Sequence, residues 1–249
     1  MCRRQIIVLA LVLFAAIADF PAFANTQPQA VPIVRALEMR YHNAKTLKAI
    51  FLERYSSGRQ DVQVESGTVY FSRPGRMRWE YESPSAKLFI SDGKTVWFFV
   101  PEDRTVTRAP MKQSADWRTP LALLTGKARL SELCGRIDLT NAPPGTVGDV
   151  VLRCLPRGEK IPSHATAAQN DADAALTDPG SPFDQVLLEV NPSTGELADV
   201  RVLQPGGIEL DYRFGNWVEN PPLAESLFHF HVPPGVAIVD GSKALSSAQ

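Results

Sequence analysis

Two histidines near the carboxyl end of the chain come closest to the spacing of a metal site. His229 and His231 are two positions apart, so in a β-strand both side chains would lie on one face and could offer two ligands to a metal ion. No third ligand lies nearby in sequence, and His164 falls in a segment with few apolar residues. The pattern therefore favours surface histidines and predicts no metal.

Glu80 and Glu82 are the second candidate pair, since alternate residues of a strand share a face. They could form a carboxylate pair, but a solvated outer face explains them more simply. The chain contains no GxSxG, HExxH, P-loop, GxGxxG or CxxC string, which are the local signatures of common hydrolases, metalloproteases, nucleotide binders and thiol oxidoreductases. The sequence predicts a protein that is not an enzyme, with no catalytic residues and no cofactor.

Composition excludes two broad classes of protein. The 249 residues are 44% hydrophobic, 21% charged and 8% aromatic, which is ordinary for a globular chain and unlike a disordered or fibrous one. There are 26 Lys and Arg against 27 Asp and Glu, a formal net charge of -1. A dedicated nucleic-acid binder would carry a basic excess, so the sequence predicts no nucleic-acid partner.

The amino-terminal stretch is typical of a secretory signal peptide. Cys2-Arg3-Arg4 gives a basic start, residues 6–17 are apolar, and Ala22-Phe23-Ala24 fits a small-x-small cleavage site. The apolar run is too short for a membrane-spanning helix, although an uncleaved anchor is the alternative. We expect a signal peptide at 1–24 and an exported, periplasmic mature chain that begins near Asn25.

Cys134 and Cys154 are the two cysteines of that mature chain. Exported proteins occupy an oxidising compartment, so a disulfide between them is expected, with two buried free thiols as the alternative. Closing this loop would stabilise the fold by roughly 3 kcal/mol.

Hydrophobic periodicity predicts an α+β fold that is mainly antiparallel β. A helix is expected at 30–44, two short helices broken near Gly126, and a short helical stretch at 222–228. Turn signals leave no room for parallel crossovers between the first six strands. The eleven expected strands are 47–55, 67–72, 77–81, 87–90, 95–100, 105–108, 137–140, 147–155, 183–191, 197–203 and 208–217.

An antiparallel sheet of about eleven strands is too wide to stay flat and should curl into a half-open barrel. The apolar stripe of the helices would then face its concave side. The early strands carry many large apolar side chains, which permits a lipid-sized cavity, with a filled core as the alternative. These residues are Phe71, Met77, Trp79, Tyr81, Phe89, Trp97, Phe98 and Phe99.

Two polar segments are predicted to stay outside the ordered core. Residues 157–182 contain no aromatic residue and many Ala, Asp, Ser, Pro and Gly residues, so they cannot bury enough apolar surface to order themselves. We interpret them as a flexible inserted loop, with a domain linker as the alternative. A disordered tail is expected from about 243, and residues 25–249 are expected to form a single domain.

Residues 67–101, GTVYFSRPGRMRWEYESPSAKLFISDGKTVWFFVP, resemble the periplasmic outer-membrane lipoprotein carrier family, LolA. The family pattern is an RP turn, a Trp six residues after the Arg, a Pro, an apolar strand, SDG, and an aromatic strand that ends in Pro. This chain matches it at Arg73-Pro74, Trp79, Pro84, Ser91-Asp92-Gly93, Trp97 and Pro101, and later at Thr119-Pro120-Leu121, Phe228-His229-Phe230 and Pro233-Pro234-Gly235-Val236. The loop 157–182 and the cysteine pair depart from the pattern.

The resemblance implies an incomplete antiparallel barrel closed by a lid of helices. It implies that Arg73 is a lid latch, hydrogen-bonded to backbone carbonyls of the helices near Leu124, Thr125 and Tyr41. It also implies that acyl chains contact cavity-lining positions, which in this chain are Tyr41, Trp79, Phe89, Leu121 and Leu124.

The resemblance further implies a function. Such a protein accepts acylated lipoproteins from an ATP-driven inner-membrane transporter and hands them to an outer-membrane acceptor, working as a monomer without cofactors. One alternative is a lipid-responsive periplasmic regulator that binds a membrane signalling protein on a similar half-barrel. An enzyme acting on lipids is a third possibility, against which the missing nucleophile elbow argues.

Overall fold

The computed structural model describes residues 30–58, 61–111, 122–126, 129–156 and 183–241. Predictions for the signal peptide at 1–24, the loop 157–182, the tail from 243 and Leu121 lie outside these residues. The helices are α1 (Ala30–Asn43), α2 (Ala122–Thr125), α3 (Leu130–Leu133) and a 3-10 helix (Glu225–Phe228). The strands are β1 (Thr46–Ser57), β2 (Asp61–Ser72), β3 (Arg76–Ser83), β4 (Lys87–Ser91), β5 (Thr95–Val100), β6 (Thr105–Pro110), β7 (Cys134–Leu139), β8 (Val150–Pro156), β9 (Gln185–Val190), β10 (Leu197–Gln204), β11 (Ile208–Glu219) and β12 (Ala237–Asp240).

The twelve strands of the described chain form one sheet, in the order β12-β6-β5-β4-β3-β2-β1-β11-β10-β9-β8-β7. Short turns join neighbouring strands in β1 to β6, which produces the predicted antiparallel meander. The one parallel pairing in the described sheet is between β6 and β12. Because β12 and β7 lie at opposite edges, the sheet is open, which confirms the predicted incomplete antiparallel barrel with few helices.

Ring contacts across the sheet show how strongly it curls. Trp79 on β3 and Tyr212 on β11 are three strands apart, which in a flat sheet would separate them by about 14 Å. Their ring centroids are 5.6 Å apart. The side chains of β3, β2, β1 and β11 therefore converge on a concave face.

Helix α1 buries its apolar stripe against this concave face. Ile33, Leu37 and Tyr41 follow one another at four-residue spacing and are buried in the main hydrophobic cluster, as expected for one side of a helix. Leu124 of α2 and Leu130 of α3 belong to the same cluster. Gly126 separates the two short helices at a positive φ of 73°, close to the predicted break.

The outer face of β3 to β6 is covered by the carboxyl-terminal segment. Phe230 lies 5.5 Å from the rings of both Trp97 and Phe99, and Phe228 is buried. Arg78 donates to the Leu227 carbonyl at 3.1 Å. Trp97 and Phe99 therefore pack outside the barrel, so two of the large apolar residues that were counted toward a lipid-sized cavity do not line the concave face.

The structure adds one strand, β12, and shifts the start of three others by three residues or more: β2, β7, which begins at Cys134 instead of 137, and β8, which begins at Val150 instead of 147. β12 was not predicted, because Ala237–Asp240 is four residues long and exposed throughout and so lacks the alternation that marks a half-buried strand. β2 begins at Asp61 instead of 67. Its added apolar residues, Val62 and Val64, lie on the exposed face, where they give no core signal.

Cys134 on β7 and Cys154 on β8 form a disulfide with an S–S distance of 2.10 Å and a Cα–Cα distance of 5.4 Å. β7 is an edge strand that follows α3 directly. The bond therefore fixes the point where the lid region joins the sheet. No helix among the described residues is long and apolar enough to cross a membrane.

A buried carboxylate pair on the outer face of β10 and β11 should make stability depend on pH. Burial, and then Asp211, raise the pKa of Asp199 from 3.8 to about 8, against the attraction of Arg201 and Arg213. A raised folded-state pKa favours the protonated form, so the free energy of unfolding should fall as pH rises from about 4 through 8. Urea denaturation at pH 5 and pH 9 measures this fall. The difference in the free energy of unfolding between the two pH values should be smaller for Asp199→Asn than for the wild type. An unchanged pH dependence would contradict the prediction, and exposed Glu102→Gln is the control.

Candidate functional site

The concave face brings four of the five predicted cavity residues into one hydrophobic cluster. Tyr41, Trp79, Phe89 and Leu124 are between 0% and 2% exposed. Trp79 and Phe89 are paired neighbours on β3 and β4, while Tyr41 belongs to α1 and Leu124 belongs to α2. Leu121 lies outside the described residues. The helices therefore close over a groove whose floor is the sheet.

Aromatic rings fill the centre of this groove around Trp79. The ring of Phe51 is 4.8 Å away, that of Phe71 6.0 Å, that of Tyr212 5.6 Å and that of Phe214 6.2 Å, most of them edge-on. Each edge-to-face contact of this kind stabilises the cluster only weakly. Replacing one of these contacts by a contact with another apolar group would therefore change the energy of the cluster little.

Arg73 joins the lid to the sheet. It opens the turn between β2 and β3, and its backbone N–H donates to the Lys45 carbonyl at 3.0 Å. Its Nη2 donates to the backbone carbonyl of Tyr41, in the last turn of α1, where helical carbonyls lack intrahelical partners. A cation at a helix carboxyl end also interacts favourably with the helix dipole.

The same guanidinium lies against the end of α2. A Cβ placed on Gly126 would be 2.0 Å from Arg73 Nη1, so the absence of a side chain there makes room for the arginine. The neighbouring Gly75 N–H donates to the Thr125 carbonyl at 3.0 Å. One turn of the sheet therefore holds both α1 and α2.

The environment of Arg73 is half-buried, and burial lowers the pKa of its guanidinium below its ordinary value. Arginine nevertheless stays charged at physiological pH. Its Nε is buried without a hydrogen-bond partner among the described residues. This unpaired donor lowers the stability that the latch gives to the closed lid.

Tyr41 also fixes α1 to the opposite side of the groove. Its hydroxyl accepts a hydrogen bond from the Leu197 N–H at 3.0 Å, and the Leu197 carbonyl accepts one from Trp217 Nε1 at 2.8 Å. Burial raises the pKa of the Tyr41 hydroxyl well above 10. Tyr41 therefore remains a neutral acceptor at any physiological pH.

The turn between β9 and β10 adds a second anchor for α1. Arg40 pairs with Glu196 and Glu219, each at 2.8 Å, although exposed pairs stabilise by about 1 kcal/mol or less. A Cβ on Gly195 would lie 2.5 Å from the Ala36 carbonyl carbon. The helix backbone therefore rests directly on this turn.

A buried polar cluster lies beyond the aromatic centre and was not predicted. Glu53 of β1 is 8% exposed and accepts hydrogen bonds from Tyr81 at 2.7 Å and Tyr212 at 3.0 Å. The signal was present in the sequence, since Glu53 is a charged residue on the face of β1 that otherwise carries Leu47, Ala49 and Phe51. Its two partners could not be predicted, because they depend on how β1, β3 and β11 align in the sheet.

The other chemical candidates do not form sites. His229 and His231 are exposed and lie outside any strand, which corrects the expected strand geometry. Glu80 bonds Arg78 at 2.5 Å and Glu82 accepts from Thr68 at 3.2 Å, so each has its own partner. Among the described residues, no group of three metal-ligating side chains is present.

Comparison with known proteins identifies the family. The model of the outer membrane lipoprotein carrier protein LolA matches residues 42–143. The outer-membrane lipoprotein carrier protein of Nitrosospira multiformis is 32% identical over 215 residues, which cover 83% of this chain and 87% of that protein. The chain belongs to the LolA family. The matched region contains Arg73, Trp79, Phe89 and Leu124.

Two further relatives extend the match along the chain. The outer-membrane lipoprotein carrier protein of Dechloromonas aromatica is 30% identical over 199 residues, covering 79% of this chain and 82% of its own length. That of Azotobacter vinelandii is 28% identical over 221 residues, covering 88% and 93%. The similarity to the LolA family therefore includes the strands that complete the sheet.

Gly126 provides a direct test of the contact with Arg73. Gly126→Ala should displace the guanidinium from its place between α1 and α2, because the new Cβ would overlap it. The positive φ of 73° adds a strain of about 1 kcal/mol for an L-residue. We expect a folded variant that releases acylated cargo more slowly than the wild type in a membrane-transfer assay.

Gly206→Ala is the matched control for this variant. Gly206 has a similar φ of 81°, with nothing within 4 Å of the added Cβ, so it carries the backbone strain without the crowding. Equal release rates in the two alanine variants would show that Arg73 does not depend on Gly126.

Proposed function

We propose that this protein is a periplasmic carrier that binds the acyl chains of lipoproteins beneath its lid and moves them from the inner to the outer membrane. The observation that carries this proposal is the Arg73 junction, which ties two lid helices to the sheet above an aromatic groove. Membership of the LolA family supports it. The proposed activity is binding and transfer, without catalysis or cofactor.

The groove offers an apolar environment of the kind that an acyl chain requires. Burying a chain yields about 0.8 kcal/mol per methylene, so a sixteen-carbon chain gains at most roughly 12 kcal/mol before the costs of opening and ordering. Tyr41, Trp79, Phe89, Leu121 and Leu124 are the proposed contacts. Leaving the membrane costs the chain a similar amount, so the gain in the groove offsets that cost and a transporter must drive the extraction.

Release of the cargo requires a state of the protein that competes with the loaded state. The empty protein with its lid closed is that state. The empty protein is stabilised by the bond from Arg73 to Tyr41 and by the packing of α1 and α2 on the groove. The loaded protein would replace these contacts with acyl contacts. A ligand shifts such an equilibrium by its differential affinity for the two states, so the latch weakens binding and favours delivery.

The proposed partners are acylated lipoproteins, an ATP-driven transporter in the inner membrane and a lipoprotein acceptor in the outer membrane. The described residues carry no membrane-spanning helix, and we propose that the mature chain, 25–249, works as a single-domain monomer in the periplasm. A lipid-responsive regulator would instead bind one membrane receptor stably. The two functions therefore differ in whether the cargo leaves.

A two-vesicle transfer assay tests the proposal. The mature protein is loaded with a fluorescent triacylated lipoprotein and mixed with vesicles that contain the outer-membrane acceptor. A carrier delivers the label to the acceptor vesicles and leaves vesicles without acceptor unlabelled, and lipoprotein lacking acyl groups gives no transfer. Retention of the label by the protein in the presence of acceptor would contradict the carrier function and favour the regulator.

A further inference from the structure

Trp79 contains a buried polar atom without a partner in the described part of the chain. Its side chain is 0% exposed at the centre of the groove, and its indole Nε1 has no hydrogen-bond partner among the described residues. Buried donors are nearly always paired, and an exception calls for an explanation. A phenylalanine would keep an aromatic ring at this position without an unpaired donor.

The lining of the groove changes character on either side of Trp79. Along β1, the concave positions run from Leu47, Ala49 and Phe51 beneath the lid to Glu53 and Tyr55 at the far end. The far end opens into a hollow of about 380 Å³. Five of its six lining residues carry a polar group, namely Glu53, Tyr55, Gln63, Glu65 and Gln204, and the sixth is Leu210.

The groove is therefore shaped for an amphiphile, with an apolar part, a single donor and a polar part in that order. Trp79 and Tyr212, whose hydroxyl bonds Glu53, are in ring contact at 5.6 Å. The indole thus lies in the apolar part, one ring away from the polar part. In an acylated lipid, an ester carbonyl likewise follows the end of the apolar chain.

We propose that Trp79 Nε1 donates a hydrogen bond to an ester carbonyl of the bound acyl group. The chain then runs toward the lid, and the polar remainder of the cargo lies toward the Glu53 end. This inference deepens the proposed carrier function and depends on it. It assigns a polar contact within a groove whose surroundings are otherwise aromatic and aliphatic.

An ester carbonyl fits the position better than other polar groups. It accepts a hydrogen bond and brings no donor of its own, so it leaves nothing unpaired among the rings of Phe51, Phe71 and Phe214. A hydroxyl would bring a donor that these rings satisfy poorly. A free carboxylate would bring a charge close to the buried Glu53, which is unfavourable.

The test compares methyl palmitate with its ether analogue, hexadecyl methyl ether, which lacks the carbonyl. We expect Trp79→Phe to lower the ester-to-ether affinity ratio by about fivefold or more, the effect of losing one partner of a buried hydrogen bond. Trp97→Phe is the matched control, because it also removes an indole N–H, but one on the outer face of the sheet, where the ring packs against Phe230. It should leave the ratio unchanged.

Infrared spectroscopy gives a second readout, recorded on variants that bind the ether probe and are therefore folded. An isotope-labelled ester carbonyl should shift to lower frequency when methyl palmitate binds the wild-type protein, and should not shift in Trp79→Phe. Binding of both probes without a carbonyl shift, or an equal shift in both proteins, would overturn the assignment to Trp79. Failure of both probes to bind the wild-type protein would overturn the carrier function itself.

Discussion

Arg73→Leu is expected to hold acylated cargo too tightly and to block its transfer to the outer membrane. Leucine is apolar and cannot bond the Tyr41 carbonyl, so the closed empty state loses its latch while the groove keeps its apolar lining. A hydrogen bond to a charged group contributes about 1.5–3 kcal/mol. Because Arg73 is only half-buried, the lower value applies to its bond with the Tyr41 carbonyl. Release should slow by roughly tenfold.

The measurement is the rate at which loaded protein delivers a labelled lipoprotein to acceptor vesicles. Arg54→Leu is the control, since Arg54 is an exposed arginine on the outer face of β1, near the end of the strand that lies far from the lid. It should release cargo at the wild-type rate. Release from Arg73→Leu that is as fast as from the wild type would show that this arginine does not regulate the lid.

Removal of the disulfide is expected to have the largest effect on stability. Cys134 and Cys154 are 20 residues apart, and a loop of this size corresponds to about 3 kcal/mol in the chain-entropy account. For a protein of this size, that loss lowers the melting temperature by about 6–12 °C. The double variant Cys134→Ala with Cys154→Ala should show it by calorimetry or thermal circular dichroism.

The effect should also reach the lid, because β7 begins where α3 ends. Without the bond, the edge strand would be joined to the sheet only by its pairing with β8, its one neighbouring strand. Reducing agent added to the wild-type protein should lower its melting temperature by a similar amount, and should not change that of the double variant. A wild-type melting temperature that is insensitive to reduction would contradict the prediction.

Local patterns in the sequence were sufficient for most of the fold. The four-residue spacing of Ile33, Leu37 and Tyr41 predicts α1 to within one residue of its observed end. Alternation predicts the long strands, because one of their faces is buried. β12 could not be predicted from local alternation, because its four residues are exposed. They pair with β6, which lies far earlier in the sequence.

The site was harder to predict than the elements that form it. A resemblance to the LolA family pointed to Arg73, but nothing local to Gly126 indicates that a guanidinium 53 positions earlier needs the space of its missing side chain. The same holds for Glu53, whose two tyrosines come from β3 and β11. Contacts of this kind depend on register and curvature, which local patterns do not specify.

The central claim is that the groove beneath the lid binds the acyl chains of a lipoprotein. Native mass spectrometry tests it most directly, with the mature protein mixed with a triacylated lipoprotein in detergent that is then removed. A soluble one-to-one complex, absent when the same lipoprotein lacks its acyl groups, is the predicted result. Precipitation of the acylated lipoprotein alone, with the protein left unbound in solution, would contradict the account.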